Sequence, residues 1–302
     1  MKKTNKLRQK NVLPIREIMD DALREMKCLQ AKKESKGEVV YSGMPVLDKY
    51  IKGFYPGELT VVAGTKYCGK TSFLVRITLS VTQSGKKVLF FSPSLRRERL
   101  VHRFLGEAAM FSDDDFIFKP YSGPRFLTQL VQAAASVSEL PIYIDDSEWL
   151  SINRLERRAI YLSEKDRLSL IIVDCLQEVD TDGVMDKEER DFQEYFVLRE
   201  LYLLARKLHI PVIVAARVTK KNRSFYRSSM QPPWDELWVI EGYADTILYV
   251  DRTTLESGKS FANHTSLITI HKNRRGPIPR EKLQFFLGKG IIKEGEEDEK
   301  AG

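Results

Sequence analysis

The stretch that decides the fold is Gly64-Thr65-Lys66-Tyr67-Cys68-Gly69-Lys70-Thr71, a complete G-x-x-x-x-G-K-[ST] pattern. It follows an apolar run at 59–63 that is typical of a buried strand. Residues 72–83 come next, and their apolar side chains recur at helical spacing. A strand, this loop and a helix in that order form a phosphate-binding loop, so the sequence predicts a site for a nucleoside triphosphate.

Each residue type in the loop has a chemical reason. Glycines let backbone N–H groups turn inward around the β-phosphate, and the helix N-terminus adds positive potential. The Lys70 amine would reach the β- and γ-phosphate oxygens, and the Thr71 hydroxyl would bind Mg²⁺. The predicted nucleotide-binding residues are Gly64, Thr65, Lys66, Tyr67, Cys68, Gly69, Lys70 and Thr71.

A second element of nucleotide chemistry is the apolar run 170–174, which ends in Asp174. In phosphate-loop proteins a carboxylate at the end of such a strand holds Mg²⁺ beside the hydroxyl of the loop. Many buried strands end in Asp, so the pattern gains its weight from the loop upstream. We predict that Thr71 and Asp174 bind the metal.

Composition limits the class of protein. The 302 residues are 42% hydrophobic and 30% charged, enough for one large α/β domain with short appendages or for two small domains. No apolar run approaches the length of a membrane span, and the three cysteines and four histidines lack metal-ligand spacing. We therefore expect a cytoplasmic protein without a membrane partner. The net charge of +7 weakly favours a polyanionic partner.

The order of apolar runs predicts an α/β fold. We expect strands at 59–63, 87–92, 141–145, 168–174, 211–216, 245–251, 266–272 and 282–287, and helices at 71–83, 95–109, 124–137, 151–164 and 192–208. The early strands lack polar alternation and are separated by helices, which is typical of a mostly parallel sheet covered on both faces. The last strands follow one another without helices, which favours an antiparallel end.

The two ends of the chain differ from its body. Residues 14–30 have one apolar stripe at helical spacing, so a helix here would fold back on its own domain or dock on a neighbouring subunit. We divide the chain into a basic N-terminal arm and linker helix at 1–36, an ATPase domain at 37–288, and an acidic, disordered tail at 289–302.

Several segments together resemble the ATPase domain of DnaB-type replicative helicases. The resemblance covers about residues 12–288 and includes, in the family's order, 42–48, 53–59, the phosphate loop, Phe91-Ser92, 172–177, 208–213 and 272–277. It implies a RecA-like P-loop NTPase fold that uses ATP and Mg²⁺, with Gln177 at the nucleotide. On this resemblance we expect a divergent member without the family's separate N-terminal helical domain, in which the helix at 14–30 resembles the family's linker helix.

The resemblance also implies an oligomer. The family places a Lys and an Arg from near the C-terminus into the neighbour's nucleotide site, and Lys272 and Arg274 match these positions. Two residues apart at a strand end, they would project to the same face. An Arg supplied in trans stabilises charge on the transferred phosphoryl group. We therefore expect a homo-oligomer, most simply a hexameric ring. The alternative interpretation of Lys272 and Arg274 is a solvated basic turn without a role in trans.

Residues 220–227 are the candidate contact for single-stranded DNA. Lys220, Lys221, Arg223 and Arg227 flank two adjacent aromatic residues. Basic groups bind the phosphate backbone, and aromatics stack on bases without sequence preference. In helicase rings a loop at this place lines the central channel. The alternatives are a plain surface loop here, or the more acidic loop at 180–190 as the DNA contact.

Two positions depart from the family pattern. Typical members carry a water-polarising Glu where this chain has Ser94, and serine cannot act unaided as a general base near neutral pH. Glu98, one helical turn further, is a candidate substitute. The family's Ser-Gln pair is replaced by Ala216 and Arg217, where the arginine would act in cis or form a salt bridge.

Three functions therefore compete. The first is a DnaB-like ring ATPase that binds single-stranded DNA and moves along it as a helicase. The second is a degenerate relative that binds ATP and regulates, loads or assembles with a helicase or other replication proteins without efficient hydrolysis, which Ser94 favours. The third, a small-molecule kinase, would leave Lys272 and Arg274 without a use.

Overall fold

The computed structural model describes residues 15, 19, 23, 38–111, 124–183, 190–218, 237–252, 265–279, 283–286 and 291–294. The chain divides into two compact units, residues 1–38 and 39–302. In the first unit Ile15, Met19 and Leu23 are helical and exposed. Their spacing of four residues places them on one side of the helix. The linker-helix role predicted for this segment stays a prediction.

The second unit is built on a nine-stranded sheet. Its strands, with a separate short pair, are β1 Leu59–Gly64, β2 Val88–Phe91, β3 Ile142–Asp145, β4 Leu150–Ser151, β5 Leu170–Asp174, β6 Val179–Asp180, β7 Val212–Arg217, β8 Thr246–Arg252, β9 Thr265–Asn273, β10 Leu283–Phe286 and β11 Ile291–Glu294. The order in the sheet is β11-β10-β9-β8-β1-β7-β5-β2-β3, while β4 pairs with β6. The six strands from β8 to β3 are parallel, and β9, β10 and β11 are antiparallel.

Helices connect these strands. They are α1 Pro45–Ile51, α2 Lys70–Gln83, α3 Arg97–Ala109, α4 Pro124–Ser138, α5 Ile152–Asp166, α6 Arg190–Leu208 and α7 Leu237–Tyr243, with a 3₁₀ turn at Leu176–Glu178. The predicted α/β fold, with a mostly parallel sheet and an antiparallel C-terminal end, is confirmed. The eight expected strands and five expected helices are present with ends shifted by at most two residues.

Two apolar cores cover the two faces of the sheet. Val61 and Ala63 of β1 belong to the core formed with α5 and α6, whereas Val62 belongs to the core formed with α2 and α3. This alternation follows from the two-residue period of a strand. Because all six residues of β1 are buried, the strand lies at the centre of the domain with helices on both sides.

The stretch 289–302 departs from its prediction. We expected a disordered acidic tail, but Ile291–Glu294 forms β11 and pairs antiparallel with β10. The two isoleucines at its start oppose Phe285 and Phe286 in the register of the pair. Within the stretch 289–302, the described residues Ile291–Glu294 therefore belong to the sheet.

The aromatic pair Phe90–Phe104 tests the packing of the α3 face. Phe90 of β2 is fully buried, and its ring meets that of Phe104 edge to face with centroids 6.1 Å apart. We expect Phe90→Ala to lower the free energy of unfolding by about 3–5 kcal/mol, since it removes a large side chain from a close-packed core. Phe192→Ala is the matched control, because Phe192 is 57% exposed. Urea denaturation that shows equal losses for the two variants would contradict this packing.

Candidate functional site

The loop between β1 and α2 has a backbone that requires glycine. Gly69, directly before α2, has φ of 102°, in the left-handed region that favours glycine. At Gly64 an added Cβ would lie 2.4 Å from the carbonyl oxygen of Val250 and 2.6 Å from Sγ of Cys68. The strand end is therefore packed so tightly against β8 that only glycine fits. Both glycines therefore stand at positions where the backbone of the predicted phosphate-binding loop tolerates no larger residue without strain.

The Lys70 side chain lies across this loop. It is 7% exposed, and its Nζ donates hydrogen bonds to the carbonyl oxygens of Gly64 at 2.9 Å and Thr65 at 2.7 Å. The Cys68 sulfur lies 3.7 Å from the same Nζ, so the amine is held within the loop by uncharged acceptors. An anion with more negative oxygens would compete for the same amine, because charge-assisted hydrogen bonds are stronger. The loop and its lysine fit a phosphate chain.

Thr71 and Asp174 meet although they are 103 positions apart in the sequence. The Thr71 Oγ1 donates to Oδ2 of Asp174 at 2.7 Å. Burial raises the pKa of Asp174, while the Thr71 hydrogen bond and the positive charge of Lys70 act in the opposite direction. A hydroxyl and a carboxylate at this distance are hard oxygen donors of the kind Mg²⁺ prefers, so the pair fits that ion.

Other protein ligands for such an ion are few. Within the part of the chain that the structure describes, no group of three or more His, Cys, Asp or Glu side chains converges as a metal site. An ion at Thr71 and Asp174 would therefore complete its shell with phosphate and water oxygens. That is the usual arrangement for Mg²⁺ bound with a nucleotide.

Ser94 lies directly beside the metal candidates. Its hydroxyl donates to the backbone oxygen of Asp174 at 3.2 Å. The expectation that Glu98 shares a helical face with Ser94 is wrong, because α3 begins only at Arg97 and Ser94 belongs to the turn after β2. Glu98 itself is exposed in the first turn of α3.

Gln177 is engaged by the backbone of Arg217. Its Nε2 donates to the Arg217 carbonyl oxygen at 3.1 Å, and its Oε1 accepts from the Arg217 N–H at 2.9 Å. The side chain of Arg217 forms an ion pair with Glu178. The salt bridge anticipated for Arg217 is therefore present, and the amide of Gln177 ties the end of β7 to the 3₁₀ turn. Its predicted contact with a nucleotide stays a prediction.

Lys272 and Arg274 lie at the other end of the sheet from the phosphate loop. Arg274 Nη1 is 2.5 Å from Oδ1 of Asp245, and Lys272 Nζ donates to the Glu241 carbonyl oxygen at 2.7 Å. Asp245 precedes β8, and its Oδ2 accepts from the backbone N–H of Leu59, the first residue of β1. Since β1 begins here and ends at the phosphate loop, about 17 Å of strand separates the two ends.

The neighbouring Arg275 is fixed in a similar way. Its guanidinium pairs with Glu58 at 2.6 Å and lies over the Tyr55 ring, 3.9 Å from the centroid. A cavity of about 560 Å³ opens at this edge. It is lined by Pro56, Gly57, Glu58, Arg206, His209, Asp245, Arg274 and Arg275. Sequence reasoning assigned no role to Asp245, which the structure shows in contact with Leu59 and Arg274. A carboxylate directly before an apolar strand is the sequence signal that could have indicated this role.

The predicted DNA loop lies outside the described residues. This holds for Lys220, Lys221, Arg223 and Arg227 and for most of the acidic alternative, residues 184–189. The elements on either side of the predicted DNA loop are β7, which ends at Arg217, and α7, which begins at Leu237. Among the described helices none is both long and apolar enough to cross a membrane.

Sequence relatives of this chain are replicative helicases. It is 27% identical to the replicative DNA helicase DnaB of Geobacillus stearothermophilus over 83% of this chain and 56% of the relative. It is 30% identical to DnaB of Pasteurella multocida over 82% of this chain and 53% of the relative. With the replicative DNA helicase DnaC of Bacillus subtilis the identity is 25% over 92% of this chain and 62% of the relative. The chain thus spans little more than half the length of these relatives.

Solved structures and a family model support the same grouping. The solved structure of an ATPase domain matches with a TM-score of 0.77 at 20% identity, covering 92% of this chain and 99% of that chain. A DnaB-like replicative helicase, whose structure was determined for its interactions with primase, matches with a TM-score of 0.75 at 19% identity, covering 90% of this chain and 66% of the other. Both likenesses concern the fold. The model of the DnaB-like helicase C terminal domain matches residues 39–290, and this chain therefore belongs to the DnaB-like helicase family.

Proposed function

We propose that this chain binds ATP with Mg²⁺ and works as a DnaB-like ring ATPase that moves along single-stranded DNA. The observation that carries the proposal is the joined set of Lys70, Thr71 and Asp174 at one sheet edge. A loop lysine and a hydroxyl–carboxylate pair are the parts that nucleotide chemistry needs. Family membership supports the same activity.

The proposed roles follow from the donors. Lys70 would leave the carbonyl oxygens of Gly64 and Thr65 for phosphate oxygens, while the other loop residues, Thr65 to Gly69, would offer backbone N–H groups. Thr71 and Asp174 would hold Mg²⁺. Bound there, the ion offsets negative charge on the outer phosphates. Gln177 stays a candidate for the nucleotide from the resemblance alone.

The proposed ring rests on Lys272 and Arg274. They lie at the opposite end of the strands from the phosphate loop of their own chain, and this supports a role at the site of a neighbouring chain. Asp245 orients Arg274 and is itself 3% exposed, so the guanidinium is held at a fixed point on the rim. A hexameric ring with two cations acting in trans would complete each site.

Single-stranded DNA is the proposed track. The basic and aromatic residues at 220–227 support this part, together with the similarity of the chain to replicative DNA helicases. Association with other replication proteins, including a complete helicase, belongs to the same proposal. A cytoplasmic location would follow from it.

The position of Ser94 favours a second candidate, an ATP-binding member that assembles with or regulates a helicase without efficient hydrolysis. The Ser94 hydroxyl donates a hydrogen bond to the carbonyl oxygen of Asp174, beside the metal candidates. A hydroxyl held in this way cannot take a proton from the attacking water at neutral pH. ATP would then act as a structural ligand of the assembly.

Steady-state ATP hydrolysis with and without single-stranded DNA separates the two candidates. A motor predicts DNA-stimulated turnover that Lys70→Ala lowers about 100-fold or more, since a donor to the reacting phosphates is lost. An ATP-binding partner predicts tight ATP binding, little turnover, and a gain of about 10-fold or more in Ser94→Glu, which supplies a base. DNA-stimulated turnover in the wild type would exclude the second candidate, and absence of nucleotide binding would exclude both.

Action in trans predicts complementation between two inactive variants. Lys70→Ala lacks a working loop and Arg274→Ala lacks the trans cation, so each alone should be inactive. Mixed rings contain some sites with an intact loop from one chain and an intact Arg274 from the other. We expect mixing at equal amounts to restore about a quarter of the nucleotide turnover or of the tight ATP binding. Arg199→Ala, which removes an exposed ion pair on α6, is the control and should retain activity. No recovery in mixtures that sizing shows to be co-assembled would contradict the trans role.

The raised pKa of Asp174 predicts a pH dependence of Mg²⁺ binding. Protonation removes the charge that holds the ion, and because burial raises this pKa, the loss begins at a higher pH than for an ordinary carboxylate. We expect the affinity for Mg²⁺–ATP to fall as the pH is lowered from neutrality, beginning above the range in which an ordinary carboxylate takes up its proton. In Asp174→Asn the affinity should be low and nearly flat over the same range. An equally steep fall in that variant would assign the pH dependence to another group.

A further inference from the structure

Trp149 presents a large aromatic surface to solvent. It is 78% exposed, whereas the next residue, Leu150, is fully buried and begins β4. Tryptophan is on average among the more buried residue types in folded proteins, because its ring gains so much free energy from leaving water. The exposed ring of Trp149 therefore stands out from the surface around it.

The backbone that carries this ring is fixed by hydrogen bonds and strand pairing. The carbonyl oxygen of Trp149 accepts a hydrogen bond from Nη1 of Arg154 at 3.1 Å. Ser151 caps the start of α5, where its Oγ accepts from the backbone N–H of Arg154 at 3.3 Å. Between them, β4 pairs with β6. Because the ring is presented from an ordered part of the fold, a ligand would not lose affinity to the ordering of the backbone.

Trp149 lies at the same edge of the sheet as the start of the predicted DNA loop. In the β4–β6 register Leu150 is opposite Val179. Trp149 and Glu178, the residues directly before them, therefore enter this parallel pair side by side. Glu178 in turn forms an ion pair with Arg217, the last residue of β7. The predicted DNA loop begins three positions after that residue in the sequence.

Two arginines next to the ring have no carboxylate partner. Arg154 and Arg157 are exposed on the first turns of α5, and their spacing of three residues places them on one side of the helix. Arg154 donates to the Trp149 carbonyl oxygen, and Nε of Arg157 donates to the Asn153 carbonyl oxygen at 3.2 Å. Both acceptors are neutral, and neither arginine forms an ion pair within the described part of the chain. Their positive charge is therefore available to a ligand.

The carboxylates of the adjoining segments have partners of their own. Glu148 lies 3.7 Å from Nη2 of Arg96. Asp182, shortly after β6, accepts from the backbone N–H of Asn153 at 3.2 Å, and Asp180 accepts from the backbone N–H of Asp182 at 2.7 Å. A cation or a backbone donor thus offsets part of each negative charge, whereas the two arginines have only neutral acceptors. The balance next to the tryptophan favours an anionic ligand.

We propose that Trp149 stacks on a base of single-stranded DNA and that Arg154 binds a phosphate next to that base. This contact would lie outside residues 220–227, and it rests on the proposed DNA binding. Single-stranded DNA alternates flat bases with phosphates, and an aromatic ring beside a guanidinium matches that alternation. Every base has an aromatic face, so the contact would have no sequence preference.

The polar surroundings favour a base over another protein as the partner of Trp149. Its exposed neighbours include Glu148, Asn153 and Arg154, which are all polar. A protein–protein interface has an apolar centre made of several side chains. A nucleobase needs only one ring, and the charge beside that ring then binds the phosphate.

The test is the affinity for a fluorescein-labelled oligothymidylate, measured by anisotropy in the presence of Mg²⁺ and ATP. Trp149→Ala should weaken binding about 5- to 100-fold because the stacking is lost, while Trp149→Phe should retain most of the affinity. Tyr41→Ala is the matched control. Tyr41 is 58% exposed and lies beside the Val40–Phe54 bridge, which precedes β1 at the other edge of the sheet. Its loss should change the affinity less than about twofold.

The salt dependence of binding distinguishes the two proposed roles. Loss of one phosphate contact lowers the slope of log affinity against log salt concentration by about 0.7 for a single strand. Arg154→Ala should show this change, and Arg154→Lys should restore the slope. Trp149→Ala should leave the slope unchanged, because stacking on a base releases no counterions. A smaller slope in Trp149→Ala would contradict the stacking role.

Tryptophan fluorescence reports the contact directly. The chain has three tryptophans, Trp149, Trp234 and Trp238, so a variant with Trp234→Phe and Trp238→Phe leaves Trp149 as the only one. Unlabelled oligothymidylate should lower the emission of this variant in proportion to binding, since a stacked base quenches the indole. Unchanged emission in a variant that anisotropy shows to be saturated with DNA would overturn the proposal.

The outcomes separate this inference from the proposed function. If the wild type binds the oligothymidylate and Trp149→Ala binds it as tightly as Tyr41→Ala does, only the role of Trp149 is wrong. If the wild type does not bind, the proposed DNA track is wrong and this inference with it. If Trp149→Ala loses DNA binding together with assembly, as measured by sizing, the residue is a contact between chains and the inference is wrong. A loss of affinity with the wild-type size and melting temperature supports it.

Discussion

The hydrogen bond between Thr71 and Asp174 is the contact on which the rest of the site depends. It joins the first turn of α2 to the end of β5, across the intervening strand β7. The parallel arrangement of β1, β7 and β5 side by side brings these two residues together. Once they meet, Lys70 on one side and Arg217 on the other are placed by the same strand ends. The chemistry of the edge is therefore a direct result of the strand order.

A second interaction organises the opposite edge. The carboxylate of Asp245 accepts from the first backbone N–H of β1 and pairs with Arg274, so one buried side chain anchors the strand and orients an exposed cation. The Arg274 guanidinium is exposed, and an isolated ion pair at the surface contributes little to stability. The buried carboxylate of Asp245 instead fixes the direction of this guanidinium. A fixed orientation of this kind is what the proposed role of Arg274 at a neighbouring chain would require.

Sequence reasoning recovered the features that are local in the chain. The strand–loop–helix order around residues 64–71 follows from eight consecutive residues, and the long strands and helices have clear periodicity, so this part of the fold was predictable. Phosphate binding by the loop stays a prediction. The seven-residue helices α1 and α7 are too short to show a period. Contacts such as Glu58–Arg275 join residues 217 positions apart and have no local signal. The expectation for Glu98 failed because a turn separates Ser94 from α3, and no propensity of the individual residues fixes where a helix starts to within two positions.

The burial of β1 on both faces determines which mutations this strand can accept during evolution. Its six residues are a spacer of fixed length between the Asp245 anchor and the phosphate loop. Conservative exchange of one apolar side chain for another leaves that length intact. Insertion or deletion of a single residue would turn every following side chain to the wrong core and displace the loop by about 3.3 Å. The strand is therefore tolerant of substitution and intolerant of any change in length.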